Sequence, residues 1–212
     1  MPLYVTEIFR SIQGESTHAG RPCTFVRLSG CNLRCLWCDT AYSWEPGAPM
    51  SVEDVLAQVE RQGCPLVEIT GGEPLDQPET PELARRLVEA GYEVLVETNG
   101  SLPIDALDER AVAIVDVKCP SSGMAGKMDW SNFERLRPKD ELKFVIADRE
   151  DFDYASDVVA RILPQTRPIL FSPVLSLLPP AELAAWILES RLPVRLGLQL
   201  HKLIWDPDMR GV

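Results

Sequence analysis

Three cysteines fall within one short stretch, Ser29-Gly30-Cys31-Asn32-Leu33-Arg34-Cys35-Leu36-Trp37-Cys38-Asp39-Thr40. Spacings of three and two residues turn the sulfurs toward one point only if the loop curls tightly, and a curled trio suits a polynuclear metal cluster with one corner left open. Two plainer readings stand beside that one. A zinc ion wants a fourth ligand, yet no cysteine or histidine follows at finger spacing; His18 lies upstream in a loop and His201 is almost at the other end. Alternatively the thiols pack as unpaired core residues, and a disulfide fits a chain without a secretory signal least well.

Gly71-Gly72-Glu73-Pro74 is the second chemical stretch. Paired glycines let backbone come close to a ligand and expose carbonyls to an ammonium, although the four residues by themselves read as a turn. Thr98-Asn99-Gly100 and Asp116-Val117-Lys118 each close a predicted strand, at the end of a parallel sheet where α/β folds place ligands. Asn99 beside a glycine reads equally as a turn residue. Lys118 says more, because a cation there is costly unless it meets an anion.

The pattern C-x3-C-x2-C with an aromatic residue before the last cysteine resembles the cluster loop of the radical S-adenosyl-L-methionine (SAM) enzymes. That resemblance implies a [4Fe-4S] cluster on Cys31, Cys35 and Cys38, with SAM on the fourth iron and Trp37, Cys38 and Asp39 beside it. It further implies that Gly72 and Glu73 hold the methionine amino group, that Asn99, Asp116, Val117 and Lys118 meet the ribose and carboxylate, and that Ser172 touches SAM.

A narrower resemblance spans nearly the whole chain. Ser11-Ile12-Gln13-Gly14-Glu15, Phe25-Val26-Arg27-Leu28, Cys38-Asp39-Thr40, Pro120-Ser121-Ser122-Gly123-Met124 and Gln199-Leu200-His201-Lys202 keep the order found in the 7-carboxy-7-deazaguanine synthase family, and Trp205-Asp206-Pro207 resembles one branch of it. The resemblance implies conversion of 6-carboxy-5,6,7,8-tetrahydropterin to 7-carboxy-7-deazaguanine with loss of ammonia. Arg27 offers a planar fork to the substrate carboxylate. The loop Ile12-Gln13-Gly14 and the Thr70 hydroxyl meet the heterocycle. Glu15 accepts from the pterin amino group or caps a turn, and His201 reads more readily as structural than as a proton donor. Implied as well are Mg2+ at Thr40, an electron donor such as flavodoxin, and a homodimer. Two rivals remain: a small radical SAM enzyme that activates a glycyl-radical partner, and a non-catalytic zinc scaffold.

The elements that must position these residues follow from composition and periodicity. The chain has 212 residues, 21 basic and 32 acidic side chains, and a net charge of -11. That balance argues against nucleic acid as a partner and gives no support to an anionic membrane. No apolar run approaches the roughly 18 residues of a membrane span, and the N-terminal stretch carries Glu7 and Arg10, unlike a signal peptide. A cytoplasmic enzyme is expected. Of the remaining cysteines, Cys23 and Cys64 read as small buried hydrophobes, while Cys119 beside the candidate site reads either way.

Strands are expected over 3–11 (an edge strand), 23–29, 66–70, 93–97, 113–117, 141–147, 168–172 and 194–200. Helices are expected from Ser51, with Asp54 completing a capping box and Gly63 ending it, and over 80–90, 105–110, 151–163 and 180–190, with a polar loop over 119–127. Alternating strands and helices imply a parallel sheet with right-handed crossovers. About six such units fall short of the eight in a full TIM barrel. The expected fold is α/β, a partial (open) TIM-type barrel of the radical SAM type, in a single domain over 1–212.

Overall fold

A computed structural model describes residues 1–162, 167–206 and 209–212. Its strands are β1 (Leu3–Ile12), β2 (Pro22–Leu28), β3 (Ala48–Met50), β4 (Leu66–Gly71), β5 (Glu93–Thr98), β6 (Val112–Val117), β7 (Glu141–Ile146), β8 (Ile169–Pro173) and β9 (Arg195–Leu196). Among the described residues they form one open sheet in the order β3-β1-β2-β4-β5-β6-β7-β8-β9. From β2 to β9 every pairing is parallel, whereas β1 runs antiparallel to both neighbours. The expected open barrel is thus present.

Helices α1 (Val52–Gln62), α2 (Thr80–Glu89), α3 (Asn132–Arg135), α4 (Arg149–Ile162) and α5 (Pro180–Ser190) lie along the chain between strands, and α6 (His201–Ile204) follows β9. Ser51 accepts from the Asp54 backbone and Asp54 answers to the Ser51 backbone, so the capping box forms, and Gly63 ends the helix. Val52, Val55 and Val59 are its buried stripe. No helix among the described residues is long and apolar enough to cross a membrane.

The main core joins Val67, Ile69, Val94, Val96, Val115, Phe144 and Phe171 to the apolar faces of the helices. Phe171 meets Phe144 and Phe152 edge-on at 5.4 and 5.7 Å, and Trp186 of α5 continues the series against Phe152. Such aromatic pairs add about 0.5–1.5 kcal/mol each beyond their area burial. A smaller cluster of Cys23, Phe25, Leu66, Leu95 and Ile114 lies on the opposite face of the sheet. Cys23, Cys64 and Cys119 are all buried, and all six cysteines are free thiols.

Four expectations need correction. Strand β1 is no edge strand at its start, because Leu3, Tyr4 and Val5 pair with β3, a three-residue strand hidden by its central Pro49. Residues 105–110 form turns instead of a helix. Six residues are too few to offset helix nucleation, and the Asp108 carboxylate takes the Arg110 backbone N–H and its guanidinium, closing the chain locally. Consequently the β5-to-β6 crossover has no helix. The strand expected over 194–200 shrinks to Arg195–Leu196, so His201 opens a helix where the sequence suggested a strand end. Finally, α4 starts two residues early at Arg149; Leu163, its expected end, lies outside the described residues, as does Pro207.

Candidate active site

The cysteine loop leaves β2 and is fastened on three sides. Gly30 N–H donates to Ser43 O at 2.7 Å, Gly30 O accepts from Glu73 N–H at 2.8 Å, and Leu36 N–H reaches Ser122 O at 3.1 Å. A Cβ on Gly72 would overlap Gly30 O and crowd Cys31 Cβ, so only glycine lets the end of β4 approach the loop this closely. Around the sulfurs stand donors: Leu33 N–H lies 3.4 Å and Asn99 Nδ2 3.7 Å from Cys31 Sγ. Burial pushes the Cys31 and Cys35 thiols up, while those donors on Cys31 and the Lys118 ammonium near both pull the other way. Cys31, Cys35 and Cys38 open into one cavity of about 720 Å³, a size typical of small-molecule sites. Among the described residues no three Cys, His, Asp or Glu side chains form a group able to hold a single metal ion. Three free thiols facing one space, one of them met by two N–H donors, fit a polynuclear iron-sulfur group bound through separate irons.

One wall of the cavity places Trp37. Its Nε1–H donates to Ser121 Oγ at 3.0 Å, and Ser121 donates to Asp151, a fully buried carboxylate in the first turn of α4 that also takes the Ser121 and Ala147 backbone N–H groups at 2.9 Å. Lys118 Nζ sits 5.8 Å from the Trp37 ring centre and 2.7 Å from Asp116 Oδ2. The anion that Lys118 required is therefore Asp116. Asp116 Oδ1 is buried and has no partner among the described residues, which leaves an acceptor beside the cavity.

The lower wall is ionic. Lys143 on β7 donates to Glu15 at 2.9 Å and to Glu97 on β5, and Gln13 Nε2 donates to Glu68 on β4. Gln199 bridges Glu15 and Asp39 at 2.9 and 3.0 Å, and Lys202 closes on Asp39 at 2.6 Å. Burial would raise Glu15, but Lys143 and Gln199 together outweigh it and hold that carboxyl below its usual range. Burial and the neighbouring Glu97 and Glu15 push Glu68 well above its usual range. Lys202 likewise overcomes burial to hold Asp39 ionised, and burial keeps His201 below the usual histidine range.

Of the residues singled out in the sequence, Ile12, Gln13, Gly14, Glu15, Arg27, Cys31, Cys35, Trp37, Cys38, Asp39, Thr40, Thr70, Gly72, Asn99, Asp116, Lys118 and His201 all line this cavity. Glu73, Val117 and Ser172 do not. Glu73 is buried behind the wall, accepting from Leu75 N–H, Thr98 Oγ1 and Asn99 N–H, and burial pushes its carboxyl up to about 7. Val117 packs in the helix-side core, and Ser172 lies under Gly197. Glu68, Glu97 and Lys143 were missed, and Gln199 and Lys202 had no role beyond their place in the C-terminal motif. For the first three the available signal was a charge at alternate positions inside otherwise apolar strands, as in Leu66-Val67-Glu68-Ile69.

Comparisons with known proteins agree with this geometry. The Radical SAM superfamily matches residues 25–118. The 7-carboxy-7-deazaguanine synthase of Koribacter versatilis (strain Ellin345) is 45% identical over 226 residues, spanning 99% of this chain and 100% of that protein. Its counterpart in Chlorobaculum tepidum is 46% identical over 216 residues, with 100% and 98% covered. The crystal structure of QueE from Escherichia coli superposes with a TM-score of 0.77 at 25% identity, covering 94% of each chain.

Proposed function

The chain belongs to the 7-carboxy-7-deazaguanine synthase family of the radical SAM superfamily, and from that premise we propose that it converts 6-carboxy-5,6,7,8-tetrahydropterin to 7-carboxy-7-deazaguanine with loss of ammonia. The observation that carries the proposal is one cavity bounded by both the three thiols and the Arg27 guanidinium. Cys31, Cys35 and Cys38 would hold a [4Fe-4S] cluster, which together with bound SAM would supply one-electron reductive cleavage of the sulfonium and hydrogen abstraction from the substrate.

The chain's own residues bind, orient and exclude water. Gly72 brings backbone to the SAM amino group, Asn99, Asp116 and Lys118 face its ribose and carboxylate, and Trp37 stands beside the adenosine. Glu73 acts on this set from behind, by fixing Asn99. Arg27 takes the pterin carboxylate, and its N–H-rich heterocycle meets acceptors on the Ile12-Gln13-Gly14 loop, Glu15 and Thr70. His201, neutral and packed over Gly14, where any Cβ would strike its ring, shapes that loop. A glycyl-radical activator would leave Arg27 and the ionic wall without a task.

The proposal extends to Mg2+ at Thr40, whose Oγ1 lies 3.4 Å from Asp39 Oδ1, an oxygen pair suited to a hard cation that keeps several waters. It takes residues 1–212 as one domain, supported by a sheet whose strands run from Leu3 to Leu196. A homodimer is supported by exposed Leu188, Leu203 and Ile204, and docking of a donor such as flavodoxin by exposed Leu36 on the cluster loop. Six free thiols support a cytoplasmic setting.

Anaerobically purified protein is expected to be brown, with about four irons and matching sulfide per chain, and to form the deazaguanine from SAM, a reductant and the carboxypterin. A colourless protein, or 5′-deoxyadenosine without deazaguanine, overturns the proposal.

A further inference from the structure

Arg27 is held from behind in a way that the chemistry assigned to it does not by itself require. Its Nε–H donates to Glu7 at 2.8 Å, and Tyr42 Oη–H donates to the same Glu7 oxygen at 2.9 Å. The guanidinium carbon lies 5.9 Å from the Tyr42 ring centre and 6.0 Å from that of Phe9, so two aromatic rings flank it. Arg210 stacks on Tyr42 at 4.0 Å. Among the described residues the two terminal nitrogens of Arg27 make no hydrogen bond, and Arg27 lines the cavity while Glu7 does not. The inner edge of the guanidinium is fixed and the outer fork is free.

Backbone geometry makes this arrangement possible. The β1–β2 register shifts between Val5 and Glu7, with Val5 opposite Leu28 and Glu7 opposite Arg27. Thr6 is the extra residue of a bulge, and such bulges commonly re-aim a side chain next to a site. Without it, the alternation of β1 would turn Glu7 to the other face. Tyr42 sits two residues after Thr40 on the segment leaving the cysteine loop.

We propose that Glu7, aimed by the bulge and braced by Tyr42, is a positioning residue that presents the Arg27 fork to the substrate carboxylate, and that the cysteine-loop segment thereby takes part in building the substrate anchor. This rests on the reading of Arg27 given above. A bidentate carboxylate pair depends on the plane of the guanidinium more than on its charge, and a fixed plane loses less freedom on binding.

The test compares two ligands on anaerobic, cluster-loaded protein with SAM and without reductant: the carboxypterin, and tetrahydropterin, which lacks the carboxylate. Wild-type protein is expected to prefer the carboxypterin, and Glu7→Gln to reduce that preference about tenfold, with iron content and SAM affinity unchanged. Tyr42→Phe, which keeps the ring and removes one brace, is expected to reduce it about threefold. An undiminished preference in both variants, or an equal weakening for both ligands, overturns the positioning role. A wild-type protein with no preference overturns the Arg27 assignment itself, a separate failure.

Discussion

Toward the helices, β4 turns Val67 and Ile69, β5 Val94 and Val96, β6 Val115 and Val117, and β7 Leu142 and Phe144. Toward the cavity the same four strands turn Glu68 and Thr70, Glu97, Asp116, and Lys143. Both faces are buried, yet they are stable for opposite reasons. On the helix side each side chain is held by packing, at about 1.5–3 kcal/mol for a buried Leu, Ile, Val or Phe. On the cavity side each charge is tolerable because another charge or amide answers it, and where the answer is incomplete, as at Asp116 Oδ1 and the outer fork of Arg27, a group stands ready for a ligand. The side that costs stability is the side with chemistry to offer.

Three experiments break or sharpen this contrast. The largest effect is expected from Cys35→Ser: loss of iron and of all turnover, with the apo fold intact, since the half-exposed thiol contributes little packing. Retention of a full cluster would remove the thiols from the cavity's chemistry. Next, Phe144→Ala and Lys143→Met are neighbours in sequence on opposite faces, and each is expected to cost about 3–5 kcal/mol in denaturant unfolding of the apo protein, one through a cavity and the other through unpaired carboxylates. They separate by pH. The Phe144→Ala cost is expected to be the same at about pH 5 and about pH 8, whereas the Lys143→Met cost shrinks toward the lower pH as Glu15 and Glu97 take protons. Equal pH dependence would erase the distinction between the faces.

The smallest expected effect concerns Glu73. Its carboxyl, raised to about 7 by burial, binds its proton more tightly folded than unfolded. The stability it contributes is therefore complete below its ordinary range, is lost as pH climbs through about 7, and changes little above that. His201, held low, acts in the opposite sense, so the whole protein's slope is a sum. Glu73→Gln is expected to flatten the fall in apo melting temperature between about pH 5 and pH 8, even while lowering it throughout through the lost Asn99 and Thr98 bonds. An unaltered slope would mean that Glu73 is not the titrating group.

The cysteine loop, the Gly71-Gly72 approach and the capping box at Ser51 were legible because each depends on a few residues close in sequence. So was the βα alternation. Glu68, Glu97 and Lys143 were passed over because strands that read as continuously apolar hid which alternate positions face helices and which face a cavity. The 105–110 segment was misread because a short amphipathic pattern says nothing of whether six residues have enough hydrogen bonds to hold a helix. The motif points Glu73 at the ligand, whereas its three partners are Leu75 in its own turn, Thr98 at the end of β5 and Asn99 just beyond it.

By itself, then, the sequence determined the local chemistry: which residues carry sulfur, charge or a free backbone, and in what order strands and helices alternate. Only the tertiary structure decided which of those groups meet. Lys143 finds Glu15 across 128 positions of chain, and Gln199 finds the same carboxylate across 184. The reason is that an open parallel sheet brings the ends of distant strands to one rim, and burial there makes every charge seek a partner that no local pattern specifies.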